Sequence, residues 1–86
     1  MTKRTVQINL ENGLEARPVA HLVQEASKYE STIYILNKDK KVNAKSIMGV
    51  MSLGLTNGEV LSVSAEGADE TEAVEGVSRF LSGSSD

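Results

Sequence analysis

Asn43-Ala44-Lys45-Ser46-Ile47-Met48-Gly49-Val50-Met51-Ser52-Leu53-Gly54 sets a short helix between strand-like runs, and the rest of the chain is read outward from it. A small polar residue, Ser46, precedes Ile47, Val50 and Met51 at helical spacing, and Gly54 closes the run. Gly49 inside the helix and Gly54 after it both weaken it, so it should span about two turns. Ser46 would be the N-cap, its hydroxyl accepting a bond from a free N–H of the first turn. The partial positive charge of a helix start favours an anion on that oxygen. The residues alone leave two readings of Ser46 open, a plain cap or a phosphorylation site.

Upstream, Lys3 to Leu10 alternates, with Val6, Ile8 and Leu10 on one face, which predicts a half-buried strand. Glu11-Asn12-Gly13 has turn chemistry. A helix then begins at Ala16-Arg17-Pro18-Val19, with Pro18 in the first turn where its missing N–H costs nothing, and Val19, Leu22, Val23 and Ala26 on one face. It should stop near Lys28 or Tyr29. Thr32 to Asn37, a Lys38-Asp39 turn and Lys40 to Ala44 read as a hairpin. Downstream, Thr56-Asn57-Gly58 makes a turn, and Glu59 to Glu66 alternates again with Leu61, Val63 and Ala65 facing one way. Asp69 with Glu72 three residues on resembles a capping box, and Ala73, Val74, Val77 and Phe80 or Leu81 supply the buried stripe of a last helix ended by Gly83. Ser82 to Asp86 should fray. The order βαββαβα implies an α+β fold, an open-faced sandwich of a four-stranded antiparallel sheet with three helices on one face, as one domain over residues 1–86.

Several function classes fall away on composition. Without cysteine and with His21 as the single histidine there is neither a disulfide nor a zinc site of the usual ligands. A net charge of −3 and only three aromatic residues, Tyr29, Tyr34 and Phe80, argue against direct nucleic-acid binding. No apolar run reaches the length of a signal peptide or membrane span, which implies a soluble cytoplasmic chain. Eight of the nine basic side chains lie in residues 1–45. Arg17, Lys40, Lys41 and Lys45 could gather as a patch near the central helix or simply form a solvated face.

Two segments together resemble the HPr phosphocarrier family of the bacterial sugar phosphotransferase system. Gly13-Leu14-Glu15-Ala16-Arg17-Pro18 is similar to that family's active-site signature, and Lys45-Ser46-Ile47-Met48-Gly49-Val50-Met51-Ser52-Leu53 to its regulatory serine segment. The departure is Glu15, which stands where the signature has its phosphate-accepting histidine. A carboxylate is a poorer nucleophile than imidazole and repels an incoming phosphoryl donor. His21 lies six residues further on, more than a helical turn away, and reads as a surface residue. Loss of the histidine with retention of the serine segment resembles the Crh-type, catabolite-repression branch of the family, in which glutamine is common at this position.

The resemblance implies that HPr kinase/phosphorylase phosphorylates Ser46 with ATP or pyrophosphate, so that the chain is a substrate without cofactor rather than an enzyme. It further implies that the phosphorylated form acts as corepressor of the transcription regulator CcpA, through Arg17, Ala20, Gln24, Ile47, Met48 and Met51. Core packing is the other reading of the last three, although a two-turn helix cannot bury them all. Two alternatives stand beside this one: a residual phosphocarrier using Glu15 or His21, and an unphosphorylated binding module that regulates a metabolic enzyme. The resemblance also implies, as an alternative to a monomer, a homodimer formed by exchange of the first strand.

Overall fold

A computed structural model describes residues 1–10 and 16–83, with Ala16 and Arg17 as backbone alone. The expected turn at Glu11-Asn12-Gly13, the position Glu15 and the fraying of residues 84–86 lie outside the described residues. The elements follow the order read from the sequence: β1 (Thr2–Gln7), α1 (Ala16–Ser27), β2 (Thr32–Asn37), β3 (Lys40–Asn43), α2 (Ile47–Met51), β4 (Val60–Glu66) and α3 (Glu70–Leu81). They build a four-stranded sheet in the order β1-β4-β2-β3, each neighbouring pair antiparallel. β4, last in sequence, thus lies between β1 and β2. Alternation along the strands sends Ile33, Ile35, Leu61, Val63 and Ala65 to one face, where they are buried together with Val19, Leu22 and Ala26 of α1, Val50 of α2 and Ala73, Val74, Val77 and Leu81 of α3. All three helices therefore cover one face of the sheet, and the other is open.

Two local expectations differ from the structure. The first strand ends at Gln7 rather than Leu10, because the chain leaves the ladder there: Ile8 exchanges backbone bonds with Gly58 and Glu59, Asn9 N donates to Leu81 O at 2.8 Å and Leu10 N to Asn57 Oδ1 at 3.0 Å. Ile8 is nevertheless buried, as the alternation required. Gly83 closes α3 with φ 83°, a left-handed conformation, and a Cβ there would stand 2.5 Å from Asn9 O, so the ends of β1 and α3 meet where only glycine fits.

The second difference is at the start of α3. Asp69 is the N-cap residue, yet its side chain makes no cap bond and Glu72 is exposed, so no capping box forms. Asp69 instead accepts from Glu30 N and Ser31 N, both at 3.0 Å, and from the Ser31 hydroxyl. Its two oxygens are used to hold the α1–β2 connection. Those donors, the Ser31 hydroxyl first, lower the Asp69 pKa. Glu70 takes over the local role by accepting from Gly67 N at 3.3 Å, and it also accepts from Thr2 Oγ1 at 2.7 Å and pairs with the Met1 ammonium at 3.0 Å. The Thr2 hydroxyl and then the ammonium pull its carboxyl down to about 2.

Candidate functional site

The segment 43–54 is a turn and a short helix, and the structure supplies the local reason. Asn43 Oδ1 accepts Lys45 N at 2.8 Å and Asn43 O accepts Ser46 N at 3.0 Å, a side-chain-mimicked turn that reverses the chain at the end of β3. Ser46 then sits extended, φ −109° and ψ 112°, and its Oγ accepts Gly49 N at 3.1 Å. This is the expected cap. At the other end Ser52 N donates to Met48 O at 3.0 Å and Ser52 Oγ to Gly49 O at 2.6 Å. The sequence signal for this turn is Asn43 itself, whose short amide side chain can accept from the backbone N–H two residues on.

Val50 is the one residue of α2 that is fully buried; Ile47 is 47% exposed, Met51 45% and Met48 83%. Core packing is thereby set aside for Met48 and holds only in part for its two neighbours. Ser46 is exposed beside them. α1 packs against α2, with Ala20 half-buried and Gln24 exposed, and Lys45 Nζ donates to Tyr29 O at 2.7 Å, tying the exit of α1 to the entry of α2. His21 is exposed on α1. Glu15 and the Arg17 side chain lie outside the described residues. Of the described side chains, those of Lys41 and Lys45 do not converge. Lys41 lies with its Nζ 4.3 Å from the centroid of Tyr34, which the alternation of β2 places on the open face, while Lys45 is bound to Tyr29 on the helical side. Strand alternation explains this, since Lys41 is out of phase with the core residues Val42 and Ala44 by one position.

Chemically, this surface offers a hydroxyl with only one described hydrogen bond, flanked by flexible thioether side chains. Among the described residues no cluster of three or more His, Asp or Glu side chains is placed to hold a metal ion, and no helix is long and apolar enough to cross a membrane.

An open-faced sandwich carrying a serine-capped helix beside the first helix defines one class of protein, and the family model described as PTS HPr component phosphorylation site matches residues 2–82: the chain belongs to the HPr family. Within it, the chain is similar to the HPr-like protein Crh of Halalkalibacterium halodurans, with 47% identity over 94% of this chain and 96% of that one. Its structure is similar to HPr-C-His of Thermoanaerobacter tengcongensis, at 49% identity and TM-score 0.90 over 94% of this chain and 91% of the other. It is also similar to Bacillus subtilis Crh, at 43% identity and TM-score 0.76 over 94% and 93%, in a crystal structure described as a swapping-domain dimer.

Proposed function

We propose that this protein is a phosphorylation-switched regulator of the Crh type, modified on Ser46 by HPr kinase/phosphorylase and thereby made a corepressor of CcpA in carbon catabolite repression. The observation that carries the reading is the pairing of an exposed capping serine with the exposed Ile47, Met48 and Met51. A phosphate on Ser46 adds about −1.5 to −2 charges and three strong acceptor oxygens. A basic site on the partner then gains charge-assisted bonds, while the thioethers adapt to its apolar surface. Arg17, Ala20 and Gln24, spaced three and four residues apart, would extend the contact along α1. The chain acts as substrate and ligand in the cytoplasm, with no catalytic residue of its own and no contact to DNA.

Glu15 in place of the family's histidine separates this reading from a phosphocarrier. Binding to immobilised CcpA tests it: the Ser46-phosphorylated chain should bind at least about tenfold more tightly than the unmodified chain, the equivalent of one charge-assisted contact. Equal binding of the two forms would contradict the reading. Incubation with enzyme I and phosphoenolpyruvate should leave the chain unlabelled, and label on Glu15 or His21 would restore the carrier reading.

A further inference from the structure

The chain has neither cysteine nor tryptophan, so its three methionines, Met1, Met48 and Met51, hold the only sulfur atoms that an oxidant can meet. Two of the three lie on α2, two and five residues after Ser46. Met48 is 83% exposed and Met51 45%, whereas Val50, which anchors α2 in the core, carries no oxidisable atom. Met1 is 78% exposed but stands at the start of β1, where its ammonium pairs with Glu70 of α3. β1 and β3 are opposite edges of the sheet, and α2 packs on β3 and α1. Met1 is thus remote from Ser46, and the reactive sulfur of the chain is otherwise gathered beside that serine.

Exposure governs how readily a thioether is oxidised, because the sulfur lone pair has to reach the oxidant. With a peroxide, the sulfur attacks one oxygen, an S–O bond forms as the O–O bond breaks, and water leaves. The sulfur gives up an electron pair and the peroxide takes it. The product, a sulfoxide, puts a polar acceptor oxygen where a flexible apolar side chain stood, and a dithiol-dependent reductase removes that oxygen as water while the dithiol becomes a disulfide. We infer that Met48 and Met51 form a reversible oxidation site, and that sulfoxide there overrides the serine switch by making the partner-facing surface of α2 polar. The inference rests on the reading of α2 as the surface that a partner covers once Ser46 is phosphorylated. In such a contact the sulfoxide oxygen is buried against apolar groups, and the cost of burying it without a donor comes off the affinity. Phosphate on Ser46 strengthens the contact, and a sulfoxide two residues on weakens it. Met48 projects almost wholly into solvent, so its oxidation changes the surface and leaves the packing alone.

The test treats the full chain, phosphorylated on Ser46, with hydrogen peroxide, removes the peroxide, maps the products by peptide mass spectrometry and measures binding to immobilised CcpA. Met48 should convert about as fast as Met1 and ahead of Met51. The chain oxidised on α2 should bind at least about tenfold more weakly than the unoxidised phosphorylated chain, and methionine sulfoxide reductase with a dithiol should restore the binding. Peroxide should have the same effect on Met1→Leu, which keeps both thioethers of α2. The double variant Met48→Leu, Met51→Leu stays apolar without sulfur there, and should bind after peroxide as it did before. A chain oxidised at Met48 should keep the wild-type urea midpoint, which separates a change of surface from a loss of fold. Binding that survives full oxidation of Met48 and Met51, or that peroxide still abolishes in the double variant, would overturn the inference. A phosphorylated, unoxidised chain that binds CcpA no better than the unmodified one would overturn the serine reading itself, and this inference with it.

Discussion

Ser46 uses its hydroxyl as an acceptor for Gly49 N, so removing it has a stability cost separate from any loss of phosphorylation. Ser46→Ala should lower unfolding stability by about 1 kcal/mol, while Ser46→Asp, which can still cap, should stay close to the wild type; the two urea midpoints check this. Glu70 is the second residue whose chemistry is set by its neighbours. Its carboxyl titrates at about 2 in the folded chain, below the ordinary 4.5, because Thr2, the Met1 ammonium and Gly67 N all favour the charged form. A pKa depressed by folding contributes stability that is fully present above the unfolded value and is lost as the folded carboxyl takes up its proton. Stability should therefore fall between about pH 5 and pH 2, and the depressed carboxyls of Asp69 and Glu59 act in the same direction. In Glu70→Gln the urea midpoint should be lower at pH 7 and decline less steeply on acidification. An unchanged slope would assign the acid sensitivity to other groups.

Among the elements, α3 shows most clearly what alternation and spacing can and cannot tell. Its buried stripe, Ala73, Val74, Val77 and Leu81, was legible because a helix needs an apolar residue every three or four positions. Its start was not: the capping box expected from Asp69 and Glu72 does not form, because Asp69 answers to Glu30 and Ser31, 39 and 38 residues away in the chain, and no local pattern reports such partners. Gly76 is a similar case. Nothing in its immediate sequence demands glycine, yet a Cβ there would collide with the Tyr29 hydroxyl and stand 2.8 Å from Glu25 Oε2. Gly76→Ala should thus destabilise the fold by about 1–3 kcal/mol even though alanine is the better helix former. Adding Tyr29→Phe should recover part of that loss in a double-mutant cycle, and full additivity of the two changes would show that the contact is not the cause.

For the whole molecule, the element order and the open-faced architecture could be read from the sequence, but the insertion of β4 between β1 and β2 could not, since strand periodicity carries no information on neighbours. The same holds for the site. Ser46 and the exposed Met48 were legible from capping chemistry and from the shortness of α2, whereas the Lys45 bond to Tyr29 depends on how two helices dock. β1 is an edge strand that joins the sheet through β4 alone, and we propose that it exchanges between two copies at high concentration; the similar Crh crystal structure is described as a swapping-domain dimer. Size-exclusion chromatography should then show a dimer that gives way to monomer only slowly on dilution, and monomer alone at every concentration would remove the exchange. The proposed switch itself is tested most directly by intact-mass analysis after incubation with HPr kinase/phosphorylase and ATP, on the wild-type chain and on Ser46→Ala. The expected result is a single added phosphate on the former and none on the latter; a wild-type chain that stays unmodified, or a Ser46→Ala chain that still gains a phosphate, would contradict it.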